Sequence, residues 1–452
     1  MDMRSSCKGL VRFFLFASLT LLAACGGGGG GETGEGGGGP INATSNAYTL
    51  LAWNDLGMHC LNPSYDTLVI LPPYNTVWAQ LVRRGNPPQI VTSGVTLEYA
   101  MVNNSHSDGK TYAPFGSVYG QFWTYVQQLF GDNPAVNTGL NLVTPTLHNG
   151  LSGTMVRNGT HYEVDGMPVT PVNDSNVWSP YQVVEITAKD STTGAVLVKT
   201  RATVPTSDEI NCAKCHGADA FADILQKHDD AEGTNLSGST PVLCASCHGS
   251  PALGTSGAGS SGIYLSEAIH GFHAGTTTPG GAAVGCYDCH PGTTTKCNRS
   301  LAHTSADGNC NACHGTMANV ASTISTGRIP WASEPKCVSC HPGVAEVDTG
   351  TTLYRNATGH GGLSCPSCHG SPHAMVPSRE ASDNYQAIQY QGKALSLGSC
   401  AVCHSGSRGA GLGEFLEEHG GSGNPSACGV CHTAITTTNT ALWPHHYQWQ
   451  NR

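Results

Sequence analysis

The chain has 452 residues, room for two or three domains, and carries a formal net charge of −10 with only 12% charged residues. That balance argues against nucleic-acid binding, which needs a basic footprint to displace counterions from phosphate. The compositional anomaly is 20 Cys and 21 His, with 17 of the Cys after residue 205.

The N-terminus places Arg4, Lys8 and Arg12 around the start of a short apolar run, FFLFASLTLLAA. Such a run is too short to span a bilayer as a helix, so residues 1–24 read as an export signal. The run ends in LAAC at Cys25, which resembles a bacterial lipobox. The resemblance implies a lipidated Cys25 as the first mature residue, the alternative being an ordinary cleaved signal with an incidental cysteine. Gly26 follows where an inner-membrane retention signal would show Asp, which by the same resemblance implies the outer membrane. Residues 25–44, rich in Gly, read as a flexible tether.

Residues 45–205 have ordinary globular composition. Leu, Ile, Val and Phe make up 41 of the 165 residues from 41 to 205. Alternating or apolar runs predict strands in AYTLLAW, DTLVILPP, TVWAQLVRR, GVTLEYAMV, VVEITAKD and AVLVKTRATV, the last two forming a hairpin across STTG. SVYGQFWTYVQQLFG predicts a helix with Phe122, Val126, Leu129 and Phe130 on one face and Gly131 after its end. The expectation is a mainly β, sandwich-like domain with one helix.

From residue 206 to 452 the same four residue types fall to 33 of 247. Such a segment cannot bury enough aliphatic area to offset chain entropy, and would ordinarily be disordered. Yet Cys and His concentrate there, so something other than side chains must supply a core.

Eight copies of one pattern fill the region: Cys212-Ala-Lys-Cys215-His216, Cys244-Ala-Ser-Cys247-His248, Cys286-Tyr-Asp-Cys289-His290, Cys310-Asn-Ala-Cys313-His314, Cys337-Val-Ser-Cys340-His341, Cys365-Pro-Ser-Cys368-His369, Cys400-Ala-Val-Cys403-His404 and Cys428-Gly-Val-Cys431-His432. They are called motifs 1 to 8 below. Cys-x-x-Cys-His is the c-type haem attachment pattern. Two thiols three positions apart reach the two vinyl groups on one porphyrin edge, and the next residue offers its imidazole to the iron. Zinc sites or disulfides would use the Cys pairs but leave a His after every pair unexplained. Motif starts lie 24 to 42 residues apart. Units of that length cannot enclose a haem singly, so eight c-type haems are expected to stack and form the core of a C-terminal domain with low secondary structure and short helices.

An iron also has a second axial position. After residue 205 the chain offers only Met317 and Met375, but nine histidines outside the motifs: His228, His270, His273, His303, His360, His373, His419, His445 and His446. Mostly bis-histidine ligation is therefore expected, giving closed, electron-transferring sites. FADILQKHDD places Phe221, Ile224, Leu225 and His228 on one helical face, EFLEEHG does the same for Phe415, Leu416 and His419, and YLSEAIHGFHAG sets His273 beside Leu265, Ile269 and Phe272. Of the adjacent His445 and His446, one ligand is expected. His373 follows His369 by four residues, a reach of roughly 14 Å at full extension. It is therefore expected to serve a neighbouring haem rather than the one held by Cys365 and Cys368.

Setting aside Cys7, Cys25 and the motif cysteines leaves Cys60 and Cys297. In an oxidising compartment such a pair suggests a disulfide joining the two domains, free thiols being the alternative. WNDLGMHC, residues 53–60, reads as a tight interdomain contact, with ligation by His59 as the alternative. His106, His148 and His161 read as ordinary surface or core residues.

With its lipobox, the motif array resembles the multihaem outer-surface cytochromes of metal-respiring bacteria, specifically over residues 206–452 and loosely before them. The resemblance implies a carrier moving electrons between outer-membrane redox partners and an extracellular acceptor such as metal oxides or soluble carriers. The rival is an octahaem reductase of nitrite, hydroxylamine or tetrathionate, which needs one open iron, often with Lys replacing the motif His. All eight motifs here end in His.

Overall fold

The computed structural model describes residues 47–85, 87–112, 117–303, 310–340 and 352–405. The signal, the tether, Cys25, His341, His419, motif 8, His445 and His446 lie outside them.

Eight antiparallel strands build the N-terminal part: β1 (Tyr48–Trp53), β2 (Asn75–Arg83), β3 (Val95–Met101), β4 (Ser152–Thr154), β5 (Val156–Asn158), β6 (His161–Met167), β7 (Val183–Asp190) and β8 (Val196–Thr203). One sheet runs β1–β2–β6–β5, with Gln89–Ile90 pairing off β2, and the other runs β8–β7–β3–β4. Period-2 alternation sends alternate side chains inward. Leu50 and Leu81 pair across β1 and β2, Val77 and Val164 across β2 and β6, and Ile186 and Tyr99 across β7 and β3. All of these side chains belong to one buried core drawn from both sheets. The β7–β8 hairpin turns at residues 191–195, where Gly194 N–H donates to the Asp190 carbonyl at 2.9 Å.

Helix α1 (Gln121–Phe130) buries Phe122, Val126 and Leu129 and stops at Gly131, which adopts a left-handed conformation and donates to the Gln127 carbonyl. Of DTLVILPP, only Leu68–Val69 is extended, because Asn62 Oδ1 takes the backbone N–H groups of Ile70 and Leu71.

After residue 205 the described elements are short. Helices α2 (Ala220–Glu232), α3 (Leu265–His273), α4 (Met317–Ser325) and α5 (Tyr385–Gln391) are joined by irregular segments that hold one-turn helices, 3-10 turns and the two-residue strand Val242–Leu243. Helices α3 and α4 approach closely at Gly271, where an added Cβ would stand 3.6 Å from Ala321 Cβ. None of the described helices is long and apolar enough to cross a membrane.

The later segments are bound tightly to the sheets. Thr206–Ser207 pairs in parallel with His59–Cys60, and Val242–Leu243 with Leu68–Val69. Helix α5 spans the outer edges of β1 and β8. Gln386 exchanges two hydrogen bonds with the Ala52 backbone, Tyr390 bonds both polar groups of Leu50, and Gln389 bonds Thr200 and the Lys199 carbonyl. Two exposed sheet edges are thereby covered. Arg299, 1% exposed, lies against Asp383 through Nε at 2.8 Å and Nη2 at 3.0 Å, and donates to the Gly57 carbonyl at 2.7 Å.

Candidate functional site

Each described motif folds as one helical turn. The His N–H donates to the carbonyl of the first Cys at 2.9 Å in motifs 1, 3 and 4 and at 3.0 Å in motif 2. Residues i, i+3 and i+4 of such a turn share a face, so the turn presents two thiols and an imidazole together. Motif 6 is the helix Cys365–His369, and motifs 5 and 7 begin as tight 3-10 turns.

Five motif histidines each face a second histidine from elsewhere in the chain. Ring centroids are 6.4 Å apart for His216 and His273, 6.3 Å for His248 and His228, and 6.0 Å for His290 and His270. The remaining pairs are His314 with His373 at 6.1 Å and His404 with His360 at 6.3 Å. Every pair joins one motif member to one of the nine candidates. The rings of His303 and His369 are not among these pairs.

The second imidazoles are aimed by their Nδ1 atoms. His270 lies 2.6 Å from the Ser266 carbonyl, His273 2.8 Å from that of Ile269 and His373 3.0 Å from that of Leu56. A carbonyl only accepts, so Nδ1 carries the proton and the lone pair is on Nε2. His228 Nδ1 meets the Thr234 hydroxyl at 3.0 Å, His248 that of Ser261 at 3.0 Å, and His216 the Asp223 carboxylate at 2.7 Å. Burial holds His270, His314 and His404 below the usual imidazole range and takes His290 and His373 down to about 4. These rings are neutral at pH 7 and keep the lone pair a metal requires.

Neighbouring motifs are stitched together by the same segments. Helix α2 carries both His228, which faces motif 2, and Asp223, which holds the motif 1 imidazole. Helix α3 supplies His273 to motif 1 and His270 to motif 3. Lys214 of motif 1 pairs with Asp288 of motif 3, and Cys286 Sγ of motif 3 lies 3.7 Å from Asn311 Oδ1 in motif 4. The segment around motif 6 sends His373 to motif 4 and His360 to motif 7. The spatial order among these is therefore 2–1–3–4–6–7, which departs from chain order.

The front sheets position several of these groups. Gln80 accepts from Ser364 N–H at 2.9 Å and donates to the Gly362 carbonyl at 3.2 Å, fixing the stretch that carries His360. Arg84 donates to the Ala401 carbonyl at 2.8 Å, docking motif 7. Residues 53–60 make the contact expected of them: the Leu56 carbonyl holds His373, and His59 Nε2 is bonded to Asp55 at 2.8 Å. Glu209 receives the N–H groups of Thr293, Thr294 and Thr295 behind motif 3. His106, His148 and His161 lie against Asp174, Asp132 and Glu163.

Cys60 and Cys297 are unbridged here, as the described motif cysteines are, and the disulfide between them is a proposal. Burial raises both, Cys297 to about 11, and a negative charge on Cys297 raises Cys60 further.

Metal–imidazole nitrogen bonds of about 2.0 Å, with each ring centroid roughly 1 Å behind its nitrogen, space two axial rings roughly 6 Å apart. The five pairs fit a shared axial metal, and the adjacent thiols fit covalent haem. Residues 316–370, which contain motifs 5 and 6 in full, match the family model described as cytochrome c554 and c-prime. The match supports a c-type cytochrome. Covalent c-type haem and a role in electron transfer follow from that likeness. No curated protein and no solved structure matches the chain.

Proposed function

We propose that this c-type cytochrome carries electrons through eight haems, attached at the sixteen motif cysteines, at the outer face of the cell. The observation that carries the reading is the repeated pairing of a motif imidazole with a second imidazole at 6.0 to 6.4 Å. When bound, the haem supplies a one-electron change between ferric and ferrous iron. The motif cysteines would attach it through thioethers, the five imidazole pairs would hold its iron, and six of those ten rings are aimed through Nδ1. Haems held by two imidazoles would favour a carrier over the reductase reading, because each such iron would lack a position for substrate.

The eight-haem count, the stacked haem core of residues 206–452 and the lipid anchor at Cys25 belong to this proposal. So do an outer-membrane, cell-surface location and extracellular acceptors such as metal oxides or soluble carriers. The haem region holds 18 acidic against 11 basic residues, which favours docking by basic redox partners. Stopped-flow reoxidation of the reduced protein by a chelated ferric salt tests the reading. Rapid reoxidation with a wholly low-spin oxidised spectrum is expected. A high-spin signal with turnover of nitrite or hydroxylamine would establish the reductase instead. Radiolabelled palmitate should enter the wild type and not Cys25→Ala.

A further inference from the structure

Six of the paired imidazoles have the Nδ1 partners named above, and five of those partners are neutral carbonyl or hydroxyl oxygens. His216 differs, because its Nδ1 lies 2.7 Å from Asp223 Oδ2. The carboxylate sits in the first turn of α2 and is 34% exposed, while the His216 ring is 18% exposed. Its other oxygen lies 3.1 Å from Lys227 Nζ, one helical turn further on.

We propose that Asp223 is a positioning residue that sets the motif 1 site, at Cys212, Cys215 and His216, to a lower reduction potential than sites whose imidazoles donate to neutral oxygens. The inference rests on the haem reading above. Its cause is charge. A carboxylate receiving the Nδ1–H shifts electron density onto the ring, strengthens Nε2 as a donor and favours ferric over ferrous iron. Lys227 opposes this by drawing negative charge toward the other oxygen. In the spatial order 2–1–3, the low site stands between motifs 2 and 3. Motif 2 is thereby separated from the rest of the array by an uphill step, and an electron placed there is held longer than one placed at motif 3.

Potentiometric titration followed by visible spectra, on full-length haem-loaded wild type, Asp223→Asn and Lys227→Gln, tests this. In Asp223→Asn one redox step should rise by about 59 mV, a tenfold change in its equilibrium, with covalent haem content unchanged. In Lys227→Gln the same step should fall. Unchanged steps at full haem content overturn the proposal alone. Wild type lacking haem on Cys212 and Cys215 overturns the haem reading, and this proposal with it. If Asp223→Asn does not fold, Lys227→Gln decides by sign. Lys227 is 60% exposed, so its replacement leaves the packing intact. A fall then supports the role of Asp223, and no change or a rise contradicts it.

Discussion

At the scale of single residues, four of the five histidine pairs divide into two groups by ring plane, with His360 and His404 between them at 37°. His270 and His290 lie 17° from parallel and His314 and His373 22°, whereas His216 and His273 cross at 77° and His228 and His248 at 79°. Parallel axial imidazoles split the iron d orbitals that they overlap more strongly than crossed ones do. The oxidised protein should therefore show both rhombic low-spin signals and strongly anisotropic large-g signals in low-temperature electron paramagnetic resonance. A single signal type would contradict the crossed and parallel pairs.

Gly57 carries a second residue-scale prediction. It has φ of +84°, and an added Cβ would lie 3.0 Å from Ser371 Cβ and 3.2 Å from His373 N. Gly57→Ala should push the 371–374 segment away and weaken the pairing of His373 with His314. The expected readout is one altered low-spin signal, the same signal lost in His373→Ala, with haem still attached at Cys365 and Cys368. The candidate histidines were legible by counting, but their pairing was not. It depends on segments up to 59 residues apart meeting across the fold, as His314 and His373 do. The role of Asp223 left only a faint trace, a carboxylate seven residues after a motif histidine.

Among the elements, strands with apolar alternation were readable directly, and β7, β8 and α1 occupy almost the spans that their patterns predict. Strand β6 was missed because HYEVDGM carries only Tyr162, Val164 and Met167 inward among charged neighbours, too weak an alternation beside Gly166. DTLVILPP misled in the other direction, since the side chain of one residue, Asn62, replaces the ladder it would have joined. Helix α5 carried no signal at all, because its task is polar. Gln386 occupies the place of a neighbouring strand by bonding both backbone groups of Ala52. Gln386→Ala should cost about 1–3 kcal/mol, the penalty for leaving buried backbone groups without partners, visible as a lower denaturation midpoint. Arg299→Ala should cost more, about 3–5 kcal/mol, because it strands the 4% exposed Asp383 carboxylate without its cation.

For the whole molecule, the two halves are stabilised differently. Among the described residues, the buried apolar clusters draw their fully buried members entirely from before residue 205, and only the half-buried Leu243 joins them from beyond. The front sheets thus have a conventional core, and the segments after them are held by hydrogen bonds, by Arg299 and, on the haem reading, by porphyrin. Changing the motif cysteines to serine should unfold the region after 205 while leaving the sheets intact, as limited proteolysis would show.

The sheets bring their own pH dependence. Burial, with Glu163 and Asp55 nearby, raises Asp165 from 3.8 to about 7. The folded state therefore holds that proton more tightly than the unfolded chain. The stability this contributes is complete below about pH 4, falls as pH rises toward 7 and is absent above it. Asp165→Asn should raise the melting temperature at pH 8 and leave it nearly unchanged at pH 4.

The whole account depends on iron sitting between paired imidazoles, and a density map of the mature, pigmented protein addresses that most directly. The prediction is metal density bridging His216 and His273, His248 and His228, His290 and His270, His314 and His373, and His404 and His360, each beside a porphyrin bound to its two cysteines. Paired rings with no metal between them, or irons bearing one imidazole and an open face at these positions, would contradict it.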